Sequence, residues 1–299
     1  MIYTVTFNPA LDYVMELDKF CTGEINRSTG ESVFAGGKGI NVSLVLKELG
    51  MDSVAWGFVA GFSGQEIERQ LLERGISCDF VKLEKGISRI NVKLRHGEET
   101  DVNTTGPHID EKHLTMFFEK INNLTERDTV VIAGTLPKGL KSEIYVRIAS
   151  ALSKKSIRFI VDATGENLLK TLEFKPFLIK PNLEELSQLF DDFKEENLYD
   201  YMKILQNMGA ENVLVSMGGN GSVLLDETGT FNKLDAIKGT VVNTVGAGDS
   251  MVAGFLAGYI KTNDLVYAHK LGAVSGSATA FSPWLADEKN ILSLLEKNT

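Results

Sequence analysis

The stretch NTVGAGDSMVAG, residues 243–254, fixes how the rest of this chain is read. Gly246 and Gly248 bracket Ala247 and lead into Asp249, after which the sequence turns apolar and helical through SMVAGFLAGYI. Glycines just ahead of a helix let the backbone approach a ligand closely. The unpaired N–H groups of the first helical turn then face that ligand with the positive end of the helix dipole. Such a turn cradles an oxyanion or a phosphate. Asp249 reads either as the cap of this helix, with the glycines forming a tight turn, or as a base aimed at a hydroxyl. In the second case the cradle takes up charge developing on a group in transfer.

Upstream of this turn, TVVIA (129–133), FIVDA (159–163), FLIKP (177–181) and VLVSM (213–217) are short apolar runs that predict buried strands, and MIYTVTFNPA at the start predicts another. KSEIYVRIASALSKKS (141–156) and LEELSQLF (183–190) repeat apolar residues at helical spacing. This alternation predicts an α/β domain with a mostly parallel sheet, whose ligands bind beyond the carboxyl ends of the strands. Two segments break the rhythm. ALDYVMELDKF (10–20) and ISRINVKLRHGEETDVN (87–103) alternate apolar and polar residues, with a turn at His96-Gly97, and predict antiparallel strands that cover something as a small lid. No linker or repeat divides the chain, so it reads as one domain over 1–299 with lid strands inserted at about 10–34 and 87–104.

The composition fits that picture. With 299 residues and 43% hydrophobic content, the chain can bury a large core. A formal net charge of −9 argues against a general binder of nucleic acid or membrane surfaces. No apolar run is of membrane-spanning length and the N-terminus lacks an export pattern, so the expected location is the cytoplasm. Cys21 and Cys78 are too far apart for a paired motif and read as ordinary thiols. His96, His108, His113 and His269 fall at no ligand spacing, and each reads as a surface or loop histidine.

Other glycine-rich and polar loops sit where strands should end. In AGGKGINVSLVLKELG (35–50), glycines around Lys38 enter an apolar helix. This is a tight turn, or a site where Gly36, Gly37 and Asn41 meet a polyhydroxylated ligand and Lys38 supplies positive charge. Its lysine lies between glycines without the spacing of an NTPase phosphate loop. In KPNLEEL (180–186), Asn182 and Glu185 stand three apart at a helix start. They suit a capping box and, equally, oxygen ligation of hydrated Mg²⁺. AGTLPKGL (133–140) closes another strand, and Gly218-Gly219-Asn220-Gly221 reads as a hairpin turn.

In this order, TFNPALDYV, AGGKGINVS, AGTLPKGL, the NxxE element of KPNLEE, SMGGNGS and NTVGAGDSMVAGF resemble the PfkB branch of the ribokinase-like carbohydrate kinases over essentially the whole chain. The resemblance implies a ribokinase-like three-layer α/β/α fold with a small β-sheet lid. It also implies phosphorylation of a sugar by ATP with Mg²⁺. Asp249 is then the base, and the backbone of residues 245–248, which includes Gly246, Ala247 and Gly248, is the anion hole. An isolated Asp has a pKa of about 3.9, but phosphoryl transfer relies more on positioning than on basicity, so a weak base suffices. Asn182 and Glu185 would organise Mg²⁺ and its waters. Lys180 would approach the nucleotide phosphates, and Ser216, Gly218, Gly221, Thr244 and Val245 would border ATP.

Asp12, Gly36, Gly37 and Asn41 match the family's sugar-contacting positions, and Arg27, Lys38, Arg89 and Lys138 lie in motifs placed around the sugar. As a group these cations favour a phosphorylated substrate. Within the family, SRINVKL, ETDVNTTGP and AGGKGINVS most resemble the branch that acts on fructose 1-phosphate, and this resemblance implies fructose 1,6-bisphosphate as product. Tagatose 6-phosphate and fructose 6-phosphate are the alternatives within the family. Thr104-Thr105 departs from the usual smaller residues before Gly106-Pro107, which bears on lid geometry. The resemblance further implies a homodimer through the lid and leaves monovalent-cation activation open. A regulatory protein that kept the fold without catalysis has no need of Asp249, Asn182 and Glu185. A nicotinamide dehydrogenase is excluded by the absence of GxGxxG after the first strand.

Overall fold

The computed structural model describes residues 1–97, 99–141 and 143–298. Glu98 in the predicted lid and Ser142 in the predicted helix 141–156 lie outside the described residues. The chain opens with β1 (Ile2–Thr6), β2 (Ala10–Glu16), β3 (Gly30–Gly36) and α1 (Lys38–Glu48). Next come β4 (Ser53–Ala60), α2 (Gly61–Glu73), β5 (Ser77–Cys78), β6 (Val81–Leu83), β7 (Arg89–Arg95) and β8 (Glu99–Val102). The middle contains α3 (Glu111–Asn122), β9 (Thr129–Ala133), α4 (Glu143–Lys154), β10 (Arg158–Asp162), α5 (Gly165–Leu169), β11 (Leu178–Ile179) and α6 (Leu183–Ser187). The last third is α7 (Leu198–Asn207), β12 (Asn212–Ser216), β13 (Ser222–Leu225), β14 (Phe231–Leu234), α8 (Ala247–Thr262), α9 (Leu265–Ala280) and α10 (Glu288–Lys297).

The main sheet runs β14-β13-β12-β11-β10-β9-β1-β4-β5, with β6 also paired to β4. Its centre is parallel, and the β12–β13–β14 end is antiparallel. Strands buried on both faces must send alternate side chains to opposite layers, and β9 does so. Val130 and Ile132 join Phe117 of α3, Ile148 of α4 and Met202 of α7 in one core. Val131 and Ala133 join Val45 of α1, Phe255 of α8 and Val274 of α9 in the other. Helices therefore cover both faces, the three-layer α/β/α arrangement expected from the sequence.

The lid is a second sheet, β3-β2-β7-β8. Its β2–β3 and β7–β8 pairs are antiparallel, as predicted, but β2 and β7 run parallel, with Ala10 to Glu16 in register with Arg89 to Arg95. The two lid segments are separated by α1, β4 and α2. Both leave the same end of the main sheet, and that shared origin aligns them. Leu11 and Ala35 root the lid in a third cluster with Ile40 and Leu44 of α1 and Ile67 and Leu71 of α2. The Thr104-Thr105 departure is absorbed locally: Thr104 Oγ1 accepts from the Ile90 N–H at 3.3 Å, and the Thr105 carbonyl accepts from Asn8 Nδ2 at 3.1 Å.

Two histidine expectations are corrected. His113 and His269 are buried. His113 Nδ1 lies 2.6 Å from Asp110 Oδ1, within the cap of α3. His269, between Ser222 of β13 and Asn232 of β14 at 2.8 Å each, has its pKa pushed down to about 4 by burial. The polar partners of these two rings make their burial tolerable, and for His269 those partners come from strands distant in sequence. No helix among the described residues is long and apolar enough to cross a membrane.

Candidate active site

The carboxyl ends of β1, β9, β10, β11 and β12 converge under the lid on a cavity of about 630 Å³. Thr6, Thr135, Asp162, Lys180 and Ser216 reach it from the strand ends or the loops that follow, and Asp12, Arg89, Asn91 and Lys93 reach it from the lid. The first turns of α1 and α8 supply Lys38, Asn41, Gly248 and Asp249. A second, more apolar cleft of about 320 Å³ lies alongside, lined by Gly218, Gly221, Ile237, Thr244, Ala247, Met251 and Phe281 among others. Asn182, Ser216 and Gly248 border both.

Asp249 stands in the polar cavity next to this boundary. It is the third residue of α8, and the helix start is built by Gly246 in the left-handed region (φ 80°), with no side chain capping the turn. The Val245 N–H donates to Asn243 Oδ1 at 3.0 Å and the Ala247 N–H to the Thr244 carbonyl at 3.2 Å. Among the described residues no hydrogen-bond acceptor is seen for the N–H groups of Gly246, Gly248 and Asp249, the unpaired donors of a helix start that an anion can use. Asn41 Nδ2 donates to Asp249 Oδ2 at 2.7 Å. Burial first, and then the negative charge of Asp162, push the Asp249 carboxyl up to about 6, against the opposing pull of Lys38, Asn41 and Lys180. The fold thus supplies a carboxylate close to neutral pH, a stronger base than the sequence alone implies.

The missed residue of greatest consequence is Asp162, at the end of β10 and 1% exposed. Its Oδ1 lies 3.5 Å from both Lys38 Nζ and Lys180 Nζ. Burial alone would raise its pKa, but Lys180 and Lys38 together outweigh burial and hold it below the ordinary carboxylate range. A charged residue ending the apolar run FIVD was the available signal, since an Asp there must be paired or functional. Asp162 fixes two cations beside the start of α8. Lys38 is also held close to Glu185 Oε1, at 3.9 Å, and its pKa is raised, chiefly by Asp162. Lys180 Nζ abuts Gly248, where an added Cβ would lie 3.1 Å away.

On the lid side, Asn91 Nδ2 donates to Asp12 Oδ1 at 2.8 Å, and burial raises the Asp12 pKa. Gly36, in register with Ala10, has no room for a side chain because the Asp12 carboxylate occupies that space. Arg89 Nε donates to the Asn8 carbonyl at 3.0 Å, and the buried Lys93 pairs with Asp101 at 2.7 Å. Asn8, Asn91, Lys93 and Asn103 were not singled out in the sequence; strand alternation places them on the inner lid face or the neighbouring loops. Gly37, Lys38, Asn41, Arg89, Lys180, Ser216 and Val245 line the polar cavity. Arg27, in the connection between β2 and β3, and Lys138, in the turn after β9, do not line it.

Asn182 and Glu185 form the capping box their spacing allowed. Asn182 Oδ1 accepts from the Glu185 N–H at 2.7 Å, and Glu185 Oε2 accepts from the Asn182 N–H at 3.0 Å. That leaves Glu185 Oε1 facing the cavity beside Lys38. Asp162 Oδ2 is buried and makes no hydrogen bond, with Lys38 Nζ 3.4 Å away as its ion-pair neighbour. No cluster of three or more His, Cys, Asp or Glu side chains able to hold a metal occurs among the described residues. Such a sparse, hard oxygen set suits a cation that keeps several waters and shares phosphate ligands, as Mg²⁺ does.

Known proteins resemble this chain over nearly its whole length. The pfkB family carbohydrate kinase pattern matches residues 5–287. The chain is 45% identical to the 1-phosphofructokinase of Bacillus subtilis over 297 residues, covering 99% of this chain and 97% of that protein. It is 38% identical to the D-tagatose-1-phosphate kinase of Bacillus licheniformis over 290 residues, covering 96% and 95%. The phosphofructokinase-2 of Escherichia coli, solved in complex with substrates and products, superposes with a TM-score of 0.92 at 26% identity, covering 99% of this chain and 98% of that one. The chain therefore belongs to the PfkB family of carbohydrate kinases, whose motifs its sequence carries in order.

Proposed function

We propose that the protein transfers the γ-phosphoryl group of ATP to fructose 1-phosphate, giving fructose 1,6-bisphosphate and ADP. The observation that carries this reading is the meeting of a polar, cation-bearing cavity and an apolar cleft at Gly248, beside Asp249. A sugar phosphate in the first and a nucleotide base in the second bring acceptor and donor together at the N-terminus of α8. Strong identity to a 1-phosphofructokinase supports the choice of acceptor.

In this reading Asp12, Asn41 and Asn91 hold sugar hydroxyls, with Gly36 and Gly37 bringing the backbone close. Arg89 and Lys38 receive the phosphate already on the sugar. Asp249 takes the proton of the acceptor hydroxyl as its oxygen bonds to the γ-phosphorus and the bond to the ADP oxygen breaks. The N–H groups at Gly246, Gly248 and Asp249, with Lys180, stabilise charge on the transferred group. Ser216, Gly218, Gly221, Thr244 and Ala247 border the nucleotide. Glu185 and Asn182 would hold Mg²⁺ and its waters. When bound, that ion neutralises phosphate charge.

The protein works in the cytoplasm as a homodimer paired through the lid. Support for pairing comes from the exposed apolar Val33 and Val102 on the two outer lid strands, β3 and β8, edges that folded proteins seldom leave uncovered. Monovalent-cation activation is tested by exchanging potassium for a bulky tetraalkylammonium ion.

The deciding experiment measures ADP release with Mg-ATP and equal concentrations of fructose 1-phosphate, tagatose 1-phosphate, fructose 6-phosphate, tagatose 6-phosphate and free fructose. Preference for fructose 1-phosphate is expected. Preference for tagatose 1-phosphate keeps the mechanism and moves the acceptor to that of the second relative. Preference for a 6-phosphate overturns the acceptor assignment, and silence from folded protein overturns catalysis.

A further inference from the structure

Two parts of the site that must agree during transfer, the lid that holds the acceptor and the loop that forms the anion hole, belong to different sheets and layers. The segment after α9 touches both. On the lid side, the ring of Phe34 stacks on Trp284, with centroids 4.3 Å apart and planes 17° from parallel. Phe34 is the β3 residue in register with Asp12 of β2, so the stack sits directly across the ladder from a carboxylate in the cavity. Antiparallel partners share a face of the sheet, so a shift of one strand carries the other with it.

On the anion-hole side, the residues flanking Trp284 grip the loop that starts α8. The Pro283 carbonyl accepts from Asn243 Nδ2 at 3.2 Å, and Asn243 Oδ1 in turn accepts from the Val245 N–H. Leu285 packs on Gly246 so closely that an added Cβ would lie 2.5 Å from its Cδ2. The Ala286 N–H donates to Thr279 Oγ1 at 3.1 Å, and that hydroxyl also meets Ser250 Oγ at 2.8 Å, which ties the same segment to the first turn of α8. Consecutive residues 283–286 therefore bridge the lid and the loop that aims Asp249. Trp284 Nε1 is buried without a hydrogen-bond partner, so the ring is held by stacking and packing alone.

Resting on the kinase reading above, we infer that Trp284 is a positioning residue that couples acceptor binding on the lid to the geometry of the anion hole. It touches no reacting atom. Its ring fixes the spacing between β3 and the Pro283–Leu285 backbone, and Leu285 transmits that spacing to Gly246. Misplacing reacting groups by about 1 Å costs on the order of 100-fold in rate, so a small slackening of this bridge is measurable.

The test is a double-mutant cycle in kcat between Phe34→Ala and Trp284→Ala, with Trp284→Phe as the conservative variant and thermal unfolding as the folding control. Each alanine variant is expected to lower kcat by about 10-fold while leaving the KM for ATP near wild type, and the double variant should be no worse than either single one. Trp284→Phe should recover most of the rate, because it keeps a ring and loses no hydrogen bond. The chain has two tryptophans, Trp56 and Trp284. Addition of the sugar phosphate should therefore change the emission of the wild type but not of Trp284→Phe, a readout that a merely structural role would not move.

Losses that multiply, an unchanged kcat in Trp284→Ala, or an emission change that survives in Trp284→Phe would overturn the coupling. If Trp284→Ala fails to fold, Trp284→Leu takes its place in the cycle with Phe34→Ala, and Trp284→Phe still decides through its emission. A wild-type protein silent with every sugar phosphate overturns the kinase reading, and the coupling with it; an active wild type with independent losses overturns the coupling alone.

Discussion

Asn41 Nδ2 donates to Asp249 Oδ2 at 2.7 Å, joining the first turn of α1 to the first turn of α8 across 208 residues of sequence. Both helices start from a glycine at positive φ, Gly37 at 124° and Gly246 at 80°, so two helix N-termini open onto one carboxylate. The bond favours the charged form of Asp249, whereas burial and Asp162 disfavour it, and the balance leaves the carboxyl at about 6. Asn41 thereby orients the Asp249 carboxylate and limits how far its pKa climbs.

Activity should depend on pH through this pair. Asp249 accepts a proton only when ionised, so kcat/KM should fall below an acidic limb near the value of about 6. Asn41→Ala removes an interaction that lowers this pKa and should move the limb to higher pH. A pH–rate profile of the two proteins checks this; a limb that stays in place or moves down contradicts the assigned role of Asn41.

Asp249→Asn should lose on the order of 10²- to 10⁴-fold in kcat while still binding the sugar phosphate. It should also be more stable than the wild type at pH 8. The native state holds the Asp249 proton more tightly than the unfolded chain, so stability falls as pH rises from 3.8 through about 6. Above that window the buried charge costs about 3 kcal/mol, which the amide removes. Urea unfolding at pH 8 and pH 4 should show the gain at pH 8 and little difference at pH 4.

Removing the neighbouring carboxylate should act in the opposite direction. Asp162→Ala leaves Lys180, 4% exposed, without its partner, and breaking a buried pair from one side costs about 3–5 kcal/mol. Lys38→Met should cost less, because Lys38 is 33% exposed and Lys180 still neutralises Asp162. Denaturant midpoints rank the two variants, and equal losses would show that Lys38 carries as much of the charge balance as Lys180.

Arg89→Ala should raise the KM for the sugar phosphate by at least about 10-fold, the loss expected for a charge-assisted hydrogen bond, with the KM for ATP close to wild type. The guanidinium is steered by its own bond from Nε to the Asn8 carbonyl, which fixes its direction without using its terminal nitrogens. Steady-state kinetics with each substrate varied in turn measure the split. A rise in both constants would place Arg89 in general lid support.

Much of the architecture is legible in the sequence, because short apolar runs and glycine turns are local. TVVIA matches β9 residue for residue, and the hairpin turn at 218–221 joins β12 to β13. LEELSQLF, by contrast, is helical only over Leu183–Ser187. Its Asn-x-x-Glu spacing satisfies the capping box, and that box leaves one Glu185 oxygen, Oε1, directed at the cavity.

The order of strands and helices, the glycine-led helix starts and the residues of the terminal motif follow from the chain read in order, since they depend on backbone conformation and on neighbours within a few positions. Four features arise only when distant segments pack: the parallel pairing of β2 with β7, the burial of His113 and His269, the absence of Arg27 and Lys138 from the cavity, and the Asp162 charge triad. The basicity of Asp249 belongs with them. Burial and Coulomb interactions depend on distance in space, and the groups that set them, Asn41, Asp162 and Lys180, reach Asp249 only when the sheet brings its strand ends together.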